Sequence, residues 1–462
     1  MNRIKLIALA LPLMQLGACT LGPDYVRPGV DEPAAFKELN GWKTAQPRDQ
    51  EMRGKWWEYF NDPLLNSLEE QVSISNQNLA QAEARFRQAR ALLQSARAAY
   101  FPGVGGNLSA TRSGRGNQGV TDNRSLSIEA SWETDLWGRV KRTVEANQAG
   151  AEASAADLEA TRLSTQAQMA QSYFQLRTVD TQQELLDRTV DDYQRSLQLT
   201  QNQYAAGVVA KENVVLAQTQ LKTTQAQAID LGVQRAQLEH AIALLAGKAA
   251  SAFSIAPAPL AAVPPPVPVG VPSTLLERRP DIAAAERRVA AANAQIGVAK
   301  TAYFPDLTLS ASGGFAGSSF ANWLSLPNRF WSIGPALAQS LFDGGARAAQ
   351  TDQAIATYDA NVAAYRQTVL AGFQEVEDNL AALRILEQEA KVQDEAVQLA
   401  RLSVTLITNQ YKAGITSYLN VVNVQTTALS NERTAAEILN RRLAASVLLI
   451  KALGGGWTAG VK

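Results

Sequence analysis

Few residues in this chain are able to carry chemistry. His240 is the only histidine in 462 residues, beside one cysteine and four methionines. A single imidazole forms neither a histidine-based triad nor a multi-histidine metal site within one chain. One histidine and four methionines provide no cluster of soft ligands for copper or silver. The carboxylates are scattered along helical stretches with basic neighbours, the pattern of solvated faces rather than of a general acid–base pair. No glycine-rich phosphate loop of the P-loop or dinucleotide type follows a strand. The sequence therefore predicts no enzyme, no metal and no cofactor, with His240 on a helix surface.

Cys19, the one cysteine, stands apart. Arg3 and Lys5 form a basic start, and Leu6 to Leu16 is an apolar run too short to span a bilayer. Gly17, Ala18 and Cys19 follow. Small residues before a cysteine resemble the lipobox of bacterial lipoproteins. That resemblance implies cleavage after residue 18 and covalent diacylglycerol and acyl chains on Cys19. The alternative is a chance thiol near an ordinary cleavage site, although a lone thiol closes no internal disulfide in an exported protein. Thr20 in place of aspartate implies, by the same resemblance, sorting to the outer membrane.

Lysine plus arginine and aspartate plus glutamate balance at 43 each. A nucleic-acid binder shows a basic excess, so that class is excluded. After the first twenty positions no run of eighteen apolar residues occurs, so no transmembrane helix is expected. A β-barrel stays open as a possibility, because its alternating strands are invisible to hydropathy.

These residues sit on a chain written twice. Ala99-Tyr100-Phe101-Pro102 returns as Ala302-Tyr303-Phe304-Pro305, each copy ending a helical stretch and starting a strand-like run. Tyr204 to Val208 and Asn213-Val214-Val215 return as Tyr411 to Ile415 and Asn420-Val421-Val422, and Gly247 returns as Gly454. The expected organisation is a signal peptide (1–18), a lipidated N-terminal segment (19–63), a first repeat (64–255), a proline-rich strap (256–272), a second repeat (273–453) and a tail (454–462). Each repeat reads helix, strand, strand, long helix, tight turn, helix. Leu64 to Ala99 reads as one helix, stopped by Pro102. In "RSLSIEASW", Leu126, Ile128, Ala130 and Trp132 alternate with polar residues. "DLTLSAS" and "FWSIGPAL" repeat that period in the second half, and polar loops are expected over Arg112 to Asn123 and Gly313 to Ser325. Gly138 to Ala206 has no proline and would span roughly 100 Å if straight. Leu186, Val190, Tyr193, Leu197 and Tyr204 recur near the spacing of a coiled-coil seam. Gly207 and Gly414 supply the left-handed residue that ends each long helix.

Four strands with one apolar and one polar face fit a barrel with lipid outside and water inside. Four strands do not close, and open edges in lipid leave backbone groups unsatisfied. Several copies must share one barrel. Two copies give eight strands and a filled interior, whereas three give twelve and a lumen.

At this level the chain resembles the TolC/OprM-type outer-membrane efflux channels, in their lipoprotein branch. The resemblance covers nearly the whole mature chain. It rests on "CTLGPDYVRP" (19–28), "KWWEYFNDPLLNSL" (55–68), "WETDLWGR" (132–139), "LLERRPDI" (275–282), the two AYFP junctions, "FDGG" (342–345) and "KALGGGW" (451–457). It implies a mostly helical mixed fold: a homotrimer with a twelve-stranded barrel on a long periplasmic α-barrel. It also implies a passive, gated conduit for drugs and other small molecules, served by an inner-membrane RND-type pump and a periplasmic adaptor. Tyr100, Phe101, Tyr303 and Phe304 are expected at the membrane–water boundary. The turns at Tyr204, Gly207, Val208, Tyr411, Gly414 and Ile415 are the expected adaptor-docking tips. Relatives narrow the pore with a leucine, an aspartate and an arginine, at positions that here hold Leu419, Asn423 and Thr426. The missing charges put an ionic lock in doubt and leave a leucine ring. A type I secretion exit channel shares this fold, and a periplasmic coiled-coil tether is a further alternative. The tether gives the alternating strands no role.

Overall fold

The structure is a computed structural model describing residues 20–30, 33, 35–39, 54–114, 116, 119–265, 279–320 and 322–455. Cys19, the signal segment, much of the proline-rich strap and most of the tail lie outside the described residues.

Each repeat gives a helix, two strands, a long helix and a shorter returning helix, and among the described residues the first carries one further helix ahead of these. The first comprises α1 (Pro63–Ser75), α2 (Gln77–Ala98), β1 (Gly103–Gly114), β2 (Val120–Glu133), α3 (Arg139–Ala205) and α4 (Lys211–Leu245). The second comprises α5 (Pro280–Thr301), β3 (Asp306–Gly317), β4 (Arg329–Ala338), α6 (Ala346–Lys412) and α7 (Tyr418–Ala452). Both long helices have 67 residues and both returning helices have 35.

The expected single helix over 64–99 is two. Asn76 has an extended backbone (ψ 125°), and its Oδ1 accepts from the amides of Asn78 and Leu79 at 2.9 and 3.1 Å. One asparagine ends α1 and caps α2. Its Nδ2 also donates to the Leu245 carbonyl at the end of α4 (2.8 Å). The repeat-equivalent Arg279 likewise donates Nη1 to the Ala452 carbonyl at the end of α7 (3.3 Å).

The expected polar loops are also shorter than the sequence suggests. Pairing of β1 with β2 runs out to Arg112↔Asp122 and Gly114↔Val120, and β3 continues through Gly317. Polar residues extend a ladder where they pair across it: Arg112 and Asp122 lie 3.7 Å apart, and Ser113 bonds Thr121.

Contacts divide the chain into two compact units, and each repeat contributes to both. One unit holds residues 1–30, 84–156 and 282–368. It contains the antiparallel sheet, in the order β1-β2-β3-β4. It also holds the segment after residue 19 in place. Buried Arg142 donates to the carbonyls of Leu21 and Gly22 and to the Asp24 carboxylate (3.0, 3.3 and 3.1 Å). A Cβ on Gly22 would stand 2.5 Å from Gly297 Cα, so the two backbones touch.

The other unit holds residues 31–83, 157–281 and 369–462. Its core includes Trp56, Trp57, Phe60, Phe174, Met169 and Leu176, all at most 4% exposed. The ring centroids of Phe60 and Phe174 are 4.9 Å apart. Fully buried Glu69 lies on α1 beside Leu65, Leu68 and Val72, and neither carboxylate oxygen has a partner among the described residues. Burial pushes its carboxyl well above the usual range.

Candidate functional site: sheet faces, hairpin tips and gate

The register fixes two faces of the sheet. Leu108 opposes Leu126, Leu126 opposes Phe315, and Trp132 opposes Leu309. Ala311 opposes Ile333, and Leu307 opposes Leu337. Together with Val104 and Trp331 they form one apolar face, and within the chain most of it is exposed, Val104, Leu108, Trp331 and Ile333 by 70% or more. The opposite face carries Asn107, Ser109, Ser125, Ser127, Glu129, Ser131, Thr308, Ser310 and Ser312. Exposed apolar surface of this extent requires a non-aqueous neighbour, and the polar face suits a water-filled lumen.

The two junctions have the same geometry. The amides of Phe101 and Phe304 donate to the carbonyls of Ala98 and Thr301, three residues back, at 3.0 and 2.9 Å. This tightened last turn halts each helix just before proline. Trp132 Nε1 donates to the Tyr100 carbonyl (3.1 Å), and Gln339 Nε2 donates to the Tyr303 carbonyl (3.3 Å). Trp137 stacks on Phe304 at 4.8 Å while its Nε1 bonds the Pro305 carbonyl. Tyr100, Phe101, Tyr303 and Phe304 are between 37% and 72% exposed, so all four rings stand at the surface of the chain.

The hairpin tips are paired Schellman caps. Gly207 and Gly414 both have φ +73°. Gly207 N donates to Tyr204 O and Val208 N to Gln203 O; Gly414 N donates to Tyr411 O and Ile415 N to Gln410 O, all within 2.8–3.0 Å. Glycine adopts this conformation without the Cβ clash that other residues meet. Val208, Ile415 and Tyr204 are exposed. Tyr411 departs from the expected docking surface, being only 4% exposed. Its hydroxyl bonds Thr200 Oγ1 (3.1 Å) and Gln203 Oε1 (2.6 Å), and its ring lies 5.4 Å from that of Tyr418. Tyr411 joins the two hairpins of one chain and is not available to a partner. The sequence reading missed this because identical residues in two repeats carry no information about which has a neighbour within the chain.

Leu419, Asn423 and Thr426 share a face of α7 at steps of four and three. All three are exposed, whereas Tyr418 and Val421 beside them are buried. Thr426 Oγ1 accepts from Gln220 Nε2 (3.2 Å), which also donates to the Tyr193 hydroxyl (3.1 Å). From residue 402 to 431 Lys412 is the only charged residue, and an Arg401–Glu432 ion pair (2.5 Å) closes this stretch. The sequence reading missed the Asn76 and Arg279 pair of caps, which no residue type marks because each depends on the carbonyl its side chain reaches.

Known proteins share this fold. The sequence profile of the family described as outer membrane efflux protein matches residues 68–248 and 271–455. The pyoverdine export outer membrane protein OpmQ of Pseudomonas aeruginosa is 31% identical over 98% of this chain and 97% of its own length. The cation efflux system protein CusC of Escherichia coli is 28% identical over 99% of this chain and 100% of its own. Among solved structures, the outer-membrane channel OprN superposes with TM-score 0.89 at 31% identity, covering 95% of this chain and 100% of that one. The open-state MtrE channel of Neisseria gonorrhoeae superposes with TM-score 0.84 at 27% identity, covering 95% and 98%. The four strands are accordingly one third of a twelve-stranded barrel shared by three copies, and the apolar face lies against outer-membrane lipid. This chain belongs to the outer membrane efflux protein family and is a passive channel of the outer membrane, not an enzyme.

Proposed function

We propose that the trimer is the exit duct of a tripartite pump, loaded by an RND-type inner-membrane transporter through a periplasmic adaptor seated on the hairpin tips. The exposed, uncharged face of α7 bearing Leu419, Asn423 and Thr426 carries this reading. In a trimer three Leu419 side chains form an apolar ring that closes by dewetting. Asn423 amides and Thr426 hydroxyls line the next turns. With no charged residue on α7 from Leu419 to Asn431, closure is insensitive to mildly acidic pH. The relatives named above export pyoverdine and cations, so one channel architecture serves unlike cargoes, and the pump selects them. Val208 and Ile415 are the apolar contacts offered to the adaptor, and Tyr100, Phe101, Tyr303 and Phe304 mark the membrane boundary. Acyl chains on Cys19 anchor the segment that Arg142 holds.

Single-channel recording in planar bilayers tests the gate. Small, mostly closed events are expected from the native protein, and Leu419→Ala raises closed-state leak about tenfold. Unaltered leak in that variant, or native leak that rises steeply on mild acidification, refutes the leucine gate. Val208→Asp with Ile415→Asp tests docking: adaptor capture is lost while conductance is retained.

A further inference from the structure

The apolar face of the sheet ends in arginine. Arg112 on β1, Arg124 on β2 and Arg329 on β4 share the face of Leu108, Leu126, Phe315 and Trp331 by register: Arg124 opposes Ala110 and Gly317, and Arg329 opposes Phe315. Asp122, opposite Arg112, is the one carboxylate on this face among the described strand residues. Between these positions and the helical junctions the face has no charge. The other face shows the opposite bias: its charged strand residues are Glu129, Glu133 and Asp306. All three arginines stand at the end of the sheet far from the helices, beside the strand-connecting loops.

Depth places them at the far edge of the hydrocarbon. On the proposed reading that the Tyr100 junction marks the membrane boundary, Trp132, bonded to the Tyr100 carbonyl, stands at the near edge. Arg124 and Asp122 follow it by eight and ten residues along β2, or ~26 and ~33 Å of strand. A tilt of ~40° reduces this to ~20 and ~25 Å, the height of a barrel's apolar band. Arg112 and Arg124 are diagonal neighbours across the β1–β2 ladder, a spacing of ~7–8 Å that long side chains bridge. The two residues put two guanidinium charges on one stretch of the rim, within reach of a single anion. Arg112 pairs with Asp122 yet stays 75% exposed, and Arg124 directs Nη1 to the Ser318 carbonyl beneath the Phe320 ring. Arg329 is exposed two strands away from β2, ~10 Å across the sheet. Leu108 and Trp331, 71% and 74% exposed, lie directly below the arginines and give apolar surface to acyl chains.

We propose that this rim binds the phosphorylated headgroup of an outer-leaflet glycolipid, with Arg112 and Arg124 on one phosphate and Arg329 on a second. A headgroup is favoured over free phosphate because the basic rim is continuous with the lipid-facing surface. Guanidinium suits the role through its bidentate match to phosphate oxygens.

The test titrates the intact trimer in detergent with bis-phosphorylated lipid A, its dephosphorylated form and inorganic phosphate, counting bound molecules by native mass spectrometry. Dephosphorylation is expected to weaken binding at least about tenfold, as is the variant R112Q/R124Q. R329Q weakens it less, and inorganic phosphate does not compete. Each variant is first checked for trimeric mass and native conductance. If one fails that check, R112K/R124K replaces it, with a loss smaller than tenfold expected because the charge is kept without the fork. Equal affinity for the dephosphorylated lipid, native affinity in the triple variant R112Q/R124Q/R329Q, or competition by inorganic phosphate overturns the proposal.

Discussion

Two glycines with nearly the same backbone angle face different surroundings. Gly414 has φ +73° and open space around a notional Cβ, whereas Gly247 has φ +69° and a Cβ there would stand 2.1 Å from the Ser75 carbonyl oxygen. Gly414→Ala then costs only the left-handed strain of a side chain, about 1–2 kcal/mol. Gly247→Ala adds a collision with backbone that no rotamer relieves. Thermal unfolding followed by helical circular dichroism should show a clearly larger loss for the second; equal losses would mean the α1–α4 contact yields easily. Glu69 makes a prediction of opposite sign. Its folded-state pKa is raised by burial, so its neutral form is the one compatible with the fold. The stability that form contributes is complete below the ordinary glutamate value of 4.5 and is lost as pH climbs toward the folded value. Glu69→Gln keeps the shape without the ionisation, so it should raise the unfolding temperature near neutral pH, with the gain vanishing toward pH ~4. A gain of the same size at both ends would show that ionisation is not the cause. Neither residue was identifiable by type: the sequence marks Gly247 as a helix stop and Glu69 as one acid among many, and only packing separates them from their neighbours.

At the scale of elements, strand alternation was legible because period two is a local property, and the register then set both faces without further information. Helix ends were legible at proline and glycine, where a single residue forbids continuation. The break at Asn76 was not, because asparagine interrupts a helix only when its side chain finds amides to bond, here those of Asn78 and Leu79. The strand ends were misjudged for a related reason: Arg112 and Asp122 look like loop residues until they pair across β1 and β2. The sheet's polar face has its own consequence. Glu129 opposes Gly105 and Ser312, so no cation stands directly across from it. Three copies bring three such carboxylates to one level of the lumen. A salt gradient across a planar bilayer should give a reversal potential of cationic sign, reduced toward zero in Glu129→Gln. An anion-selective native pore would contradict this assignment of the faces.

For the whole molecule, the two tyrosines at the tips differ in a way that the repeat explains. Tyr411 bonds Gln203 of the neighbouring hairpin in its own chain, whereas its counterpart Tyr204 is 46% exposed. The counterpart of Gln203 is Gln410. If hairpins follow one another around a closed ring with one contact geometry, Tyr204 of each copy meets Gln410 of the next. Tyr204→Cys with Gln410→Cys should then link separate copies into covalent trimers on oxidation, while Gln203→Cys with Tyr411→Cys closes within one chain. Closure of the second pair without the first would rule out a repeating contact at the tips.

The matched lengths of the helices, 67 with 67 and 35 with 35, bear on how such a chain can change over generations. Deleting one residue from a single long helix turns everything beyond it by about 100° and draws that tip back by ~1.5 Å. The partner hairpin would keep its old register, and the tyrosine contact between them would be lost. Substitutions can accumulate independently in the two halves, as Asn76 and Arg279 show by performing one task with different chemistry. Insertions and deletions cannot, and length is inherited in pairs.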